Sequence, residues 1–146
     1  MSGIRSGWLA IACAGALFGC ARATPEARLR QTLGAMQQAV EARNGASLVE
    51  HVAEDFVGPE GADRIALRRT AQAAFLRHGK VGVTLGPVDV DIAPDARHAT
   101  ASFTAALTGG NGQPLPESLN VYQVNSGWRM VDGEWQLTSL EWTGMD

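Results

Sequence analysis

The spacing of apolar residues changes once along this chain, near Lys80, and that switch restricts the fold more than any other feature. Before it, apolar side chains recur every three or four positions, the period of a helix face. After it they alternate, the period of a strand with one buried side. Thr24-Pro25-Glu26 has the chemistry of a helix start: a hydroxyl to cap, a proline at the first helical position and an acid at the positive end of the dipole. Leu29, Leu33, Met36 and Val40 then form one apolar stripe on a surface of Arg, Gln and Glu, and Asn44-Gly45 ends the element. A shorter helix is predicted next, with Leu48, Val49, Val52 and Phe56 on one side and Glu50, His51 and Glu54 turned away. Gly58-Pro59-Glu60-Gly61 breaks the chain, and a third helix is predicted from Asp63 to His78 with a weak inner face of Leu67, Ala71, Ala74 and Phe75.

Beyond Lys80, Val81, Val83 and Leu85 alternate with polar or small neighbours. Gly86-Pro87 interrupts the run, and Val88, Val90 and Ile92 resume it, the pattern of a bulge or an edge. After a turn at Pro94-Asp95-Ala96-Arg97, one strand face carries Ala99, Ala101, Phe103, Ala105 and Leu107, and the other His98, Thr100, Ser102 and Thr104. A Gly-rich loop, Gly109-Gly110-Asn111-Gly112, precedes two long strands over about 118–131 and 134–143. Asp132-Gly133 joins them and is a strong hairpin signal, because both central positions of such a turn need positive φ. Three helices followed by an antiparallel meander of about four strands predict an α+β domain.

The first twenty residues are written in a different chemistry. Arg5 supplies a positive charge, residues 8–18 are uncharged and mostly apolar, and no acid occurs before Glu26. That is the layout of a secretion signal, and the run is well short of the roughly 20 residues that cross a bilayer as a helix. Leu17-Phe18-Gly19-Cys20 resembles the bacterial lipobox. The resemblance implies a signal peptide over 1–19, acylation (palmitate among the fatty acids) of Cys20, a tether over 20–24, and a domain over 25–146. Ala21 after the cysteine implies the outer membrane, facing the periplasm. An ordinary secretory signal with a chance cysteine is the alternative. Removing the leader takes away Cys13 and Arg5, leaving Cys20 without an intramolecular partner and eleven basic residues against fifteen acidic ones. With Lys80 as the one lysine and no basic stripe, nucleic acid is disfavoured as a partner.

The opening helix, the segments Asn44-Gly45-Ala46-Ser47-Leu48 and Ala53-Glu54-Asp55-Phe56-Val57, and the ending from Trp128 to Leu137 resemble the nuclear-transport-factor-2-like superfamily over nearly all of residues 25–146. The resemblance implies a cone: a curved antiparallel sheet wrapped on three N-terminal helices, with one open end that often holds a pocket. Ketosteroid isomerases and polyketide cyclases share that fold. At the positions that match the isomerase, its oxyanion Tyr falls near Ala39, its protonated Asp near Ser126 and its base near Glu60. Two of the three groups are absent, so the resemblance implies no isomerase activity, because an oxyanion hole without donors cannot stabilise an enolate.

A two-residue turn with unbroken pairing sets Met130 opposite Trp135, Trp128 opposite Leu137, Ser126 opposite Ser139 and Val124 opposite Glu141, with Tyr122 beyond, all on one face. The apolar end lies near the turn. The sequence therefore predicts a pocket lined by Tyr122, Ser126, Ser139 and Glu141 over a floor of Trp128 and Leu137, with Phe56 a further contributor. The plainer alternative makes the aromatic residues ordinary core and the polar ones a solvated rim. On the opposite face Val121, Leu140 and Trp142 lie among Gln123, Asn125, Gln136 and Thr138, a candidate surface for a homodimer or an envelope partner.

No metal or cofactor is expected. His51 with Glu54 and Asp55, His78 at a helix end and His98 at a strand start each have a solvated reading, and no phosphate loop or Gly-x-Ser-x-Gly elbow occurs. The leading expectation is a non-catalytic, lipid-anchored, periplasm-facing domain that binds a small apolar ligand or a partner protein. The alternatives are an enzyme using Glu141 or Glu60 as general base, and an envelope interaction or inhibitor module docking through the outer sheet face.

Overall fold

A computed structural model describes residues 23–109, 113–114 and 121–145. Helix α1 spans Pro25–Glu41, and Thr24 caps it by accepting a 3.1 Å hydrogen bond from the Ala27 amide. Its apolar stripe does two jobs. Leu29 and Leu33 are buried, while Met36 and Val40, further along, are only partly covered. Arg43, not a glycine, takes the left-handed conformation that stops the helix (φ 56°), and Gly45 instead opens α2 (Gly45–Val49), capped by the Asn44 side chain.

The second helix is shorter than the sequence predicts. Val52–Val57 is strand β1, which pairs in parallel with the last strand, a long-range partnership that local spacing does not encode. Val52 and Phe56 are buried, as they would have been on a helix face, because a spacing of four suits either element. A single 3-10 turn, Pro59–Gly61, leads to α3 (Arg64–Arg77), capped by Asp63 through a 2.8 Å bond from the Ala66 amide. Phe75 is the buried residue of α3, and Ile65 and Leu76 face solvent, in keeping with its weak amphipathic pattern.

Among the described residues the sheet has seven strands and is mixed, where the sequence predicts about four in antiparallel array. Besides β1 it contains β2 (Val81–Leu85), β3 (Asp89–Ile92), β4 (His98–Gly109), β5 (Gln113–Pro114), β6 (Val121–Val131) and β7 (Glu134–Gly144). The path β1-β7-β6-β4-β2 is antiparallel except at β1–β7, and β3 and β5 also pair with β4. Gly86-Pro87 splits one edge strand into β2 and β3, both paired with β4, because proline has no N–H to continue a ladder. Ala99, Ala101, Phe103 and Ala105 of β4 are buried on the concave side, as the alternation predicts.

The start of α1 closes one end of this curved sheet. Trp135, 1% exposed, donates its indole N–H to the Pro25 carbonyl at 2.9 Å, and the Arg28 guanidinium reaches the Gly133 carbonyl. The start of α1 is thereby pinned to the β6–β7 turn, where Asp132 (φ 50°) and Gly133 (φ 81°) both take the predicted positive φ. Leu29, Val52, Phe56, Trp128 and Leu137 fill the space between, and each fully buried side chain of this kind contributes about 1.5–3 kcal/mol.

Candidate functional site

The hairpin that frames the site is regular for only its first four pairs. From the turn outward, Val131 faces Glu134, Met130 faces Trp135, Arg129 faces Gln136 and Trp128 faces Leu137. The next pair is Gly127 with Ser139, so Thr138 is an extra residue, a β-bulge. Beyond it Ser126 faces Leu140, Asn125 faces Glu141 and Val124 faces Trp142. A one-residue shift exchanges the two faces of a strand. Leu140 and Trp142 therefore turn to the concave side, and the exposed Ser139 and Glu141 to the convex side. That corrects the register predicted from an unbroken hairpin, and it exchanges two predicted pocket residues for two predicted interface residues.

The physical reason lies in the side chains. Without the bulge a carboxylate would enter the cone and an indole would leave it, losing apolar burial and desolvating a charge together. Gly127, paired with Ser139 just beyond the bulge, carries no β-carbon to press on the Ser139 hydroxyl. The sequence does contain the signal. Trp135, Leu137, Leu140 and Trp142 are spaced two, three and two apart, and the interval of three marks the inserted residue.

The concave face encloses a cavity of about 370 Å³. Its floor is Trp128, Leu137 and Ser126, all nearly inaccessible, and its mouth includes Trp142, 43% exposed, and Thr70 of α3. The walls come from Phe103, Ala105 and Leu107 of β4, Val83 and Leu85 of β2, and Leu33, Met36, Gln37 and Val40 of α1, with Leu48 of α2. Of the predicted members, Tyr122, Ser126, Trp128 and Leu137 are brought together. Phe56 lies in the packed core and is not part of the lining, because β1 runs on the far side of β7. The helical and β2 contributions do not follow from the hairpin register; the α1 stripe is legible in the sequence, but which part of it faces a hollow is not.

The lining is almost wholly apolar, and none of its residues is Asp, Glu, His, Lys or Arg. At the floor, the Ser126 hydroxyl donates to the Ala101 carbonyl at 2.7 Å and accepts from the Trp128 indole N–H at 2.8 Å. Its one proton is committed to a backbone carbonyl, so Ser126 serves to satisfy a buried indole and has no base beside it to make it a nucleophile. Near the mouth, the Gln37 side-chain amide donates to the Val83 carbonyl at 2.7 Å.

Charged groups lie elsewhere. Glu60 sits exposed in the 3-10 turn with φ 58°, and Glu141 is exposed on the convex side, so neither carboxylate placed as a general base faces the cavity. Also on the convex side, Arg129 grips Asp55 in a two-pronged ion pair at 2.8 and 3.0 Å and holds that carboxyl below its ordinary range, mainly by hydrogen bonding. The Asp95 carboxyl is likewise lowered, first by the Arg97 amide and then by the His98 ring at 2.7 Å. Among the described residues no three His, Cys, Asp or Glu side chains gather as a metal site. Val121, the third predicted interface residue, is half-buried and pairs with Ala106 on β4. Cys20 and the leader over 1–19 lie outside the described residues, as does most of the tether over 20–24, and among the described residues no helix is long and apolar enough to cross a membrane.

No family model and no curated protein matches the chain. Solved structures do. A nuclear-transport-factor-2-like protein with a cystatin-like fold from Novosphingobium aromaticivorans superposes with a TM-score of 0.67 at 17% identity, covering 84% of this chain and 82% of that one. A nuclear-transport-factor-2-like protein of unknown function from Pseudomonas putida KT2440 gives 0.65 at 20% identity, covering 79% and 82%. Bd1075 of Bdellovibrio bacteriovorus gives 0.69 at 10% identity over 81% of this chain, which spans only 40% of that longer protein. With these neighbours and a curved mixed sheet packed on three helices around a hollow, the chain has the nuclear-transport-factor-2-like, cystatin-like fold.

Proposed function

We propose that this chain is a lipid-anchored, periplasm-facing binding domain that holds a small apolar ligand in its cone. The observation that carries this reading is the cavity: about 370 Å³, walled by aliphatic and aromatic side chains. Binding sites for small molecules are concave hollows of roughly 300–1,000 Å³ with mostly apolar walls and a few polar groups. The enzymatic alternative needs a group to take a proton, and the lining supplies no carboxylate or imidazole. Docking through the convex face loses Leu140 and Trp142, two of the three apolar side chains that suggested it.

Anchorage through Cys20 rests on the lipobox resemblance and has a geometric consequence. The start of α1 is fixed to the closed tip of the cone. From there to the mouth is about 22 Å, whether measured along α1 to Val40 or along β7 from Trp135 to Trp142. Five peptide units from Cys20 to Pro25 reach at most ~17 Å. A foot at Cys20 thus keeps the tip near the bilayer and directs the mouth away from it, toward ligand arriving through the aqueous phase.

Titration with N-phenylnaphthylamine, an uncharged apolar fluorophore, tests the cavity. Saturable binding that Leu140→Arg weakens at least about tenfold is expected; no saturation would sink the proposal. Mass spectrometry of the protein from its native membrane tests the foot separately, where an unmodified Cys20 would remove it.

A further inference from the structure

Gln37 is a polar residue on the cavity side of α1. It follows Leu33 by one helical turn on the stripe that faces the cavity, between Met36 and Val40. Its side-chain amide is fixed by one bond, from Nε2 to the Val83 carbonyl of edge strand β2 at 2.7 Å. A primary amide has two N–H donors and a carbonyl with two acceptor sites, so most of its capacity is left over. No buried side-chain polar atom among the described residues lacks a partner, so the Gln37 Oε1, which accepts no bond, is open to solvent or to whatever fills the cavity. Ser126, at the floor of the cavity, is not equivalent: it is already held between Ala101 and Trp128.

We infer that the cavity selects a neutral molecule with one hydrogen-bonding head, held at Gln37, over both a bare hydrocarbon and a carboxylate of the same length. The inference rests on the apolar-ligand reading above and adds the chemical class. An immobilised amide can donate to and accept from an alcohol, ketone or amide head. It supplies no net charge, and no Lys, Arg or His lines the cavity to offset an anion taken out of water. The hydrocarbon part of such a molecule then runs toward Trp128 and Leu137, where no polar partner is open to it.

The test uses three probes with one phenylbutyl frame: butylbenzene, phenylbutanol and phenylbutanoate. They are titrated at neutral pH against the whole chain, with tryptophan fluorescence as the signal because Trp128 and Trp142 both line the cavity. Phenylbutanol is expected to bind at least tenfold more tightly than phenylbutanoate, roughly one decade of affinity. Gln37→Leu is expected to lower the phenylbutanol-to-butylbenzene affinity ratio about three- to tenfold, the range of one net hydrogen bond, while butylbenzene itself binds no worse. Equal or tighter phenylbutanoate binding overturns the inference, and that comparison needs no variant. An unchanged ratio in Gln37→Leu, or in Gln37→Met should the leucine variant fail to fold, overturns it as well. So does a ratio that falls in Tyr122→Phe and not at position 37. If none of the probes binds, the apolar-ligand reading itself is lost; butylbenzene binding with an indifferent ratio removes only the role given to Gln37.

Discussion

The two halves of the β6–β7 hairpin are built from the same alternation of apolar and polar residues, yet one half is packed solid and the other encloses space. On the turn side of Thr138, Trp135 points into a core sealed by the start of α1, and Leu137 closes the floor of the cavity above it. On the far side, Leu140 and Trp142 point the same way but meet the cavity. The difference teaches that inward orientation and burial are separate properties. Register, set here by one inserted residue, decides the first. The helices decide the second, because α1 packs its early stripe against the sheet and stands off it further along.

If that contrast is right, truncations of equal kind should cost unequal amounts in the two halves. Leu137→Ala, at 2% exposure, should lower stability by about 2–5 kcal/mol in urea denaturation, since it removes contacts from the packed floor between core and cavity. A cost near that of a surface site would mean the tip is not packed. Ser126→Ala should come next, at about 1–3 kcal/mol, because the buried Trp128 indole loses its acceptor. A variant as stable as the parent would show that the indole finds another partner.

Trp142→Ala and Glu141→Gln form a pair that isolates register. Trp142 is expected to cost less than about 1 kcal/mol, being half open, yet to weaken N-phenylnaphthylamine binding severalfold. Glu141→Gln should leave stability within about 0.5 kcal/mol and binding unchanged, since its side chain lies on the convex face. The reverse outcome, binding altered through Glu141 and indifferent to Trp142, would restore the unbroken register.

The smallest effect belongs to the convex-face ion pair. The Asp55 carboxyl is lowered in the folded state, so its contribution is fully present above the ordinary carboxylate range and is lost as pH falls through the lowered value. Asp55→Asn should therefore flatten, slightly, the acid limb of the stability profile and leave neutral-pH ligand binding intact. An acid limb identical to the parent's would show the pair to be energetically silent.

How far the sequence revealed this molecule follows from the range of the forces involved. Helix α1, its Thr24 cap, the alternation along β4 and the Asp132-Gly133 turn are each decided by residues a few positions apart, and each was legible. Strand β1 was not. Its apolar residues suit a helix as well as a strand, and its identity is fixed by pairing with β7, some eighty residues away. Part of the site was legible for the same reason: Tyr122, Ser126, Trp128 and Leu137 precede the distortion or lie on the regular strand. Ser139, Glu141, Leu140 and Trp142 follow it, so an unbroken ladder puts them on the wrong faces. The interval of three between Leu137 and Leu140 held the information, and assuming an unbroken ladder discarded it.

A crystal of the protein pressurised with xenon tests the hollow, apolar cone most directly, because xenon enters dry apolar cavities and ignores filled or charged ones. The account predicts a xenon atom bounded by Phe103, Val124 and Leu140, with the Glu141 carboxylate in solvent on the opposite face. Side chains filling that space, or Glu141 pointing into it, would contradict the account.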